Sequence, residues 1–163
     1  MNKKLSLVFC VYLLASICHA QVVGSEYIHI PENRPVIGLF PSTNTITIGD
    51  IAHEAKFCPE ESDYVCFEVK ELKFATPRNP KDMKSWMYDG ERYKVTRRFS
   101  TRDSHPAWVI EKITGLKMWF LWSSHNGLMM FAENRDKHQS GVYMPDGFCG
   151  FAASKGCESL SKK

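Results

Sequence analysis

Beyond its first twenty residues the chain has no apolar run long enough to span a bilayer, no C-x-x-C, no H-x-H and no G-x-S-x-G. Each absence excludes something. Without a second long apolar segment there is no candidate transmembrane helix after the N-terminal one. Without C-x-x-C neither a thiol–disulfide oxidoreductase nor a zinc ribbon has its usual spacing. His53-Glu54 starts like H-E-x-x-H, but Phe57 stands where the second histidine would have to be. His29, His53, His105, His125 and His138 are scattered and read as isolated surface or loop residues, so no metal ligand set and no cofactor is expected.

What is present begins with "MNKKLSLVFCVYLLASICHA". Lys3 and Lys4 precede a short apolar stretch, Leu5 to Ile17, and Ala20 ends the segment with a small residue. The stretch is too short to span a membrane comfortably, so residues 1–20 read as a cleaved secretory signal and 21–163 as the mature chain. Ile17 before Cys18 is too large for a lipoprotein cleavage site. The mature chain then holds 143 residues, 19 basic and 18 acidic side chains and four cysteines. That length suits one domain with a real core. The predicted location is the periplasm or the extracellular space.

The four cysteines fall in two segments of equal spacing, "CPEESDYVC" (Cys58, Cys66) and "CGFAASKGC" (Cys149, Cys157). An even count in an exported chain implies disulfides. The turn-forming residues inside each segment favour two local bridges. Each local loop would stabilise the fold by about 2.5 kcal/mol and a long-range bridge by about 4.5 kcal/mol, so energy alone leaves the crossed pairings open.

Short β-branched runs dominate the rest. "YIHI", "VIGLF" and "TITI" are separated by Pro31, Pro35, Pro41 and Gly49. Asp50 is expected to cap a two-turn helix over "DIAHEAKF". "YVCFEVKELKFA" keeps Phe67, Val69, Leu72 and Phe74 on one face only if the phase slips at Lys70-Glu71, which predicts one strand with a bulge. Asp89-Gly90 predicts a tight hairpin turn. In its second arm Tyr93, Val95 and Phe99 should face one way, and Arg92, Lys94, Thr96 and Arg98 the other. Eight to ten strands at intervals of 8–12 residues predict an all-β domain with minor helix, an antiparallel β-barrel or β-sandwich stabilised by disulfides.

The richest segment is "KMWFLWSSHNGLMMF", Lys117 to Phe131. Asn126-Gly127 marks a hairpin. Two registers are open, a two-residue turn pairing Trp122 with Phe131 and a longer Ser124–Gly127 loop that shifts the pairing by two. In both, Met118, Phe120, Trp122, Met129 and Phe131 share one face, and Trp119, Leu121, Ser123, Leu128 and Met130 the other. Both faces are apolar, whereas an ordinary antiparallel hairpin wets one. Either the hairpin is covered on both sides or one face awaits a partner. Ser124 and His125 are neighbours and point apart, whereas Ser123 and His125 share a face and are the pair a small hydrolase would use.

Charge is unevenly spread. Residues 21–71 carry 3 basic and 9 acidic side chains, and residues 72–163 carry 16 and 9. The densest basic block is "ERYKVTRRFSTR". Such a face either pairs with the acidic half or meets an anionic partner. An exported chain of near-zero net charge is not expected to bind nucleic acid. The leading expectation is an exported, non-enzymatic binding module, of inhibitor or immunity type, recognising another exported or envelope protein through Arg92, Lys94, Arg98, Trp119, Leu121 and Met130. The alternatives are an anionic-glycan binder that stacks sugars on Trp86, Trp108 or Trp119, and a hydrolase using Ser123 and His125.

Overall fold

The computed structural model describes residues 24–30, 34–101, 104–133 and 141–157, so the expected leader lies outside the described residues. It is almost entirely antiparallel β, 60% strand and 2% helix, with a sandwich-like arrangement whose main sheet does not close into a barrel. The strands are β1 (Ser25–Ile30), β2 (Arg34–Phe40), β3 (Thr45–Ile48), β4 (Ile51–Glu54), β5 (Lys56–Phe57), β6 (Tyr64–Val69) and β7 (Leu72–Pro77). They continue as β8 (Ser85–Tyr88), β9 (Glu91–Ser100), β10 (Pro106–Lys112), β11 (Met118–Ser123), β12 (Gly127–Glu133) and β13 (Val142–Pro145). Ten strands form one sheet in the order β4-β3-β2-β1-β13-β12-β11-β10-β9-β8, and β5-β6-β7 form a second. No helix among the described residues is long and apolar enough to cross a membrane.

The small sheet has partners on two sides. Phe74 meets Phe120 and Trp122 at ring separations of 4.8 and 5.9 Å, and Phe67 meets Phe151 at 5.5 Å. Across the small sheet, Tyr88 of β8 reaches the Cys58–Cys66 bridge. The long sheet therefore curls around the short one, and a single apolar cluster runs through both. Both disulfides are the local pairs, Cys58–Cys66 and Cys149–Cys157, with Cα atoms 5.1 and 5.9 Å apart.

Two expectations fail, for a shared reason. Asp50 caps no helix. Gly49 at φ +59° and Asp50 turn β3 into β4, and Ile51 to Glu54 pair with Thr45 to Ile48. Nor is Tyr64–Ala75 one bulged strand. Lys70 at φ +52° and Glu71 turn β6 into β7, placing Val69 opposite Leu72 and Phe67 opposite Phe74. A two-residue turn and a single-residue bulge produce the same slip in apolar phase, so the pattern alone does not separate them. Asp89-Gly90 does turn as expected, both residues at positive φ, with Tyr88 opposite Glu91.

Tyr27 ties β1 to β12 and to Phe151. It is fully buried; its hydroxyl donates to the Leu128 carbonyl at 2.6 Å and accepts from the Phe151 amide at 2.9 Å. Gly150 permits this approach, because a Cβ there would strike the Leu128 carbonyl oxygen. Tyr27→Phe leaves two buried backbone groups without this partner. It is expected to cost about 2 kcal/mol in urea unfolding with the fold retained; an unchanged midpoint would show the hydroxyl to be dispensable.

Candidate binding face

The segment Lys117–Phe131 is a hairpin whose outer register, Phe120 opposite Phe131 and Leu121 opposite Met130, is that of the longer loop. Near the turn the register differs. Ser124, His125 and Asn126 form a three-residue loop, Gly127 at φ +75° pairs with Ser123, and Met129 is an extra, bulged residue. The bulge reverses two side chains relative to the expectation. Leu128 joins Trp122 inside at 0% exposure, and Met129 leaves the face of Phe120 and Trp122 and becomes half-buried.

A second bulge reshapes the basic arm. Thr96 is unpaired in β9, between Val95 opposite Ile110 and Arg97 opposite Val109. Every residue after it changes face. Arg97 and Phe99 move to the side of Lys94 and Val109, whereas Arg98 moves opposite the buried Trp108, where its guanidinium donates to the Met83 carbonyl at 3.1 Å. Arg92, Lys94 and Arg98 thus do not share one face, and Phe99 does not follow Tyr93 inward.

The two bulges give β9–β12 a buried inner side and a mixed outer side. Inside lie Trp108, Ile110, Met118, Phe120, Trp122, Leu128 and Phe131, all 3% exposed or less. Outside, Val109, Trp119, Leu121 and Met130 are half-buried and Phe99 is 40% exposed. Arg97, Arg98, Phe99, Val109, Trp119 and Leu121 enclose a shallow groove of about 310 Å³. Lys94 pairs with Glu111 at 2.9 Å. Arg92 and Arg97 meet no carboxylate among the described residues, and the acidic N-terminal half does not neutralise them. Arg97, Phe99 and Val109 were not among the expected contact residues. Val109 reaches the groove as the partner of Leu121, whereas only the unpaired Thr96 brings Arg97 and Phe99 there, and a bulge in a polar run leaves no mark on hydrophobic periodicity.

The other candidates change as well. Trp86 and Trp108 are 6% and 3% exposed, and the Trp86 indole donates to the Ala75 carbonyl at 3.1 Å, so neither offers a stacking platform. Ser123 is fully buried; its hydroxyl accepts from the amides of His125 and Asn126 at 3.3 and 3.4 Å, closing the turn. The His125 imidazole instead has Nδ1 3.0 Å from Ser154 Oγ, and its ring stacks on His105 at 3.8 Å. The isolated-histidine expectation fails for this pair, which the fold joins from two loops. No group of three or more metal-ligating side chains occurs among the described residues.

Comparison with protein-family models, with curated proteins and with solved structures finds no match for this chain, so its functional reading rests on the geometry above.

Proposed function

We propose that the protein is an exported binding module that covers an acidic, apolar-centred surface of another exported protein, as an inhibitor or immunity-type partner does. The observation that carries the reading is the outer side of β9–β12. Phe99, Val109, Trp119, Leu121 and Met130 remain accessible there, with Arg97 lining the groove and Arg92 farther along β9; neither arginine meets a carboxylate among the described residues. Tryptophan and arginine dominate the energetics of protein interfaces, and arginine grips a carboxylate through two parallel donors. The apolar cluster anchors the inner side of these strands, and an anchored surface lowers the ordering cost of association. A glycan site needs several polar groups converging around its stacking ring. Val109, Leu121 and Phe99 beside Trp119 favour a protein surface instead.

A photocrosslinking residue at Leu121 should trap one discrete protein from the envelope or extracellular fraction of the producing cells, and the same residue at Ile51, on the exposed edge of β4, should not. With that partner purified, Trp119→Ala should weaken binding about 30-fold, the ratio of an interface hot spot worth about 2 kcal/mol. Arg97→Glu should weaken it further and lessen its dependence on salt. Equal crosslinking from both positions, or unchanged affinity in both variants, would sink the reading.

A further inference from the structure

A second site lies between the β8–β9 hairpin and the three-stranded sheet. The cleft encloses about 490 Å³, with Tyr88, Asp89 and Tyr93 on the hairpin side and the Cys58–Cys66 bridge, Glu68 and Lys73 on the sheet side. That volume falls in the range of small-molecule sites. None of these residues belongs to the Trp119 groove.

Each wall is fixed. The Tyr88 hydroxyl stands 3.2 and 3.3 Å from the two bridged sulfurs. Those sulfurs carry no hydrogen, so the hydroxyl donates. Tyr93 stacks on Trp86 with ring centroids 5.8 Å apart. Tyr93 is 1% exposed, yet its hydroxyl has no hydrogen-bond partner among the described residues and is not sealed in the core as Trp122 Nε1 is. It opens on the cleft. A hydroxyl that opens on a cleft can accept a hydrogen bond from a ligand bound there.

The lining carries two carboxylates, Glu68 and Asp89, and two ammonium groups, Lys56 and Lys73. Burial first, and then the carboxylates of Glu91, Glu68 and Asp89, push the Tyr93 phenol above its ordinary range. Burial and the carboxylates of Asp89 and Glu68 do the same to Tyr88. Lys73 shows what the cluster accepts: its ammonium lies 2.7 Å from Glu68 and 3.6 Å from Asp89, and its pKa is raised, chiefly by the Glu68 hydrogen bond.

We propose that this cleft binds a small organic ammonium, its cation resting against the Tyr88 ring, the Tyr93 hydroxyl and the carboxylates of Glu68 and Asp89. Aromatic faces with a carboxylate rim are a general solution for such cations. The Tyr93 hydroxyl accepts one ammonium hydrogen. Lys73, on a flexible stem, is the internal competitor that the ligand displaces. An anionic ligand would make the reverse demand, because it would need Lys73.

Phenethylamine and its acid counterpart 3-phenylpropanoate, titrated by calorimetry into the bridged protein, separate these cases. The amine should bind saturably and the acid should not. Asp89→Asn should weaken the amine about tenfold, one charge-assisted contact, and Tyr93→Phe should weaken it severalfold. Lys73→Met should tighten it. Asp89 is exposed at φ +46°, a conformation that asparagine also tolerates, and Tyr93→Phe removes one oxygen, so both variants test the site in a folded chain. Absence of saturable amine binding, tighter binding of the acid, or weakened amine binding in Lys73→Met would overturn the proposal.

Discussion

Lys112→Met is expected to lower the free energy of unfolding by about 3 kcal/mol in urea titration. Lys112 is 1% exposed, and its ammonium is 3.2 Å from both the Glu91 carboxylate and the Leu116 carbonyl. Glu91 also accepts from the Thr114 hydroxyl at 2.5 Å, and that hydroxyl accepts the Arg92 amide at 2.8 Å. The network fastens the β10–β11 turn to the start of β9. Removing one member of a buried ion pair strands the other, at a cost of about 3–5 kcal/mol. The Glu91 side chain keeps 17% exposure, which places the loss at the lower end of that range. Superimposable unfolding curves for the wild type and the variant would show that the pair contributes nothing.

The same network predicts an acid limb in the stability curve. Burial raises the Glu91 carboxyl, but the Thr114 and Lys112 hydrogen bonds and the Lys112 charge outweigh it, leaving the pKa below its usual 4.5. A carboxyl depressed by folding contributes stability that is complete above its unfolded value and is lost as the pH falls through its folded one. Stability should therefore decline below about pH 4.5, and Glu91→Gln should remove that component of the decline. Without the lysine the depression shrinks, so in Lys112→Met the carboxyl should protonate at higher pH.

Phe74→Ala should cost about 3–5 kcal/mol and lower the melting temperature by many degrees. Phe74 is 1% exposed and meets Phe67, Phe120 and Trp122 at 5.6, 4.8 and 5.9 Å between ring centroids. It is thus a ring shared by both sheets, and its loss opens a cavity that neither can fill without moving its strands. Phe148→Ala is the internal control: at 62% exposure it should change stability by no more than about 0.5 kcal/mol. Equal effects from the two substitutions would contradict the packing described here.

Fold class was legible because its signals are local. Alternating apolar residues, Asp89-Gly90 and the even cysteine spacing each act over fewer than about a dozen residues. The bridges and the all-β architecture follow from them. Errors arose where two backbone devices share one pattern, as at Lys70-Glu71, or where a polar segment hides its own irregularity, as at Thr96. The contact face was therefore read with Trp119, Leu121 and Met130 together on one side and with Arg98, but without Arg97. Tertiary pairs were not legible at all. Nothing near Lys112 in the chain announces Glu91, and nothing near His105 announces His125, because loops and strands far apart in sequence bring them together.

The place of β13 has a consequence for how the molecule acquires its shape. It lies between β12 and β1, pairing Tyr27 with Pro145 and Phe131 with Tyr143. The hairpins β1 to β4 and β8 to β12 can form from contacts near in sequence, but the first strand waits for the last before one of its edges is satisfied. Closing so long a loop is entropically slow, and until it closes the unsatisfied backbone of β1 is open to pairing with other chains. Folding should therefore be paced by the arrival of Val142 to Pro145, and a chain cut short of that strand should aggregate rather than settle into a smaller domain.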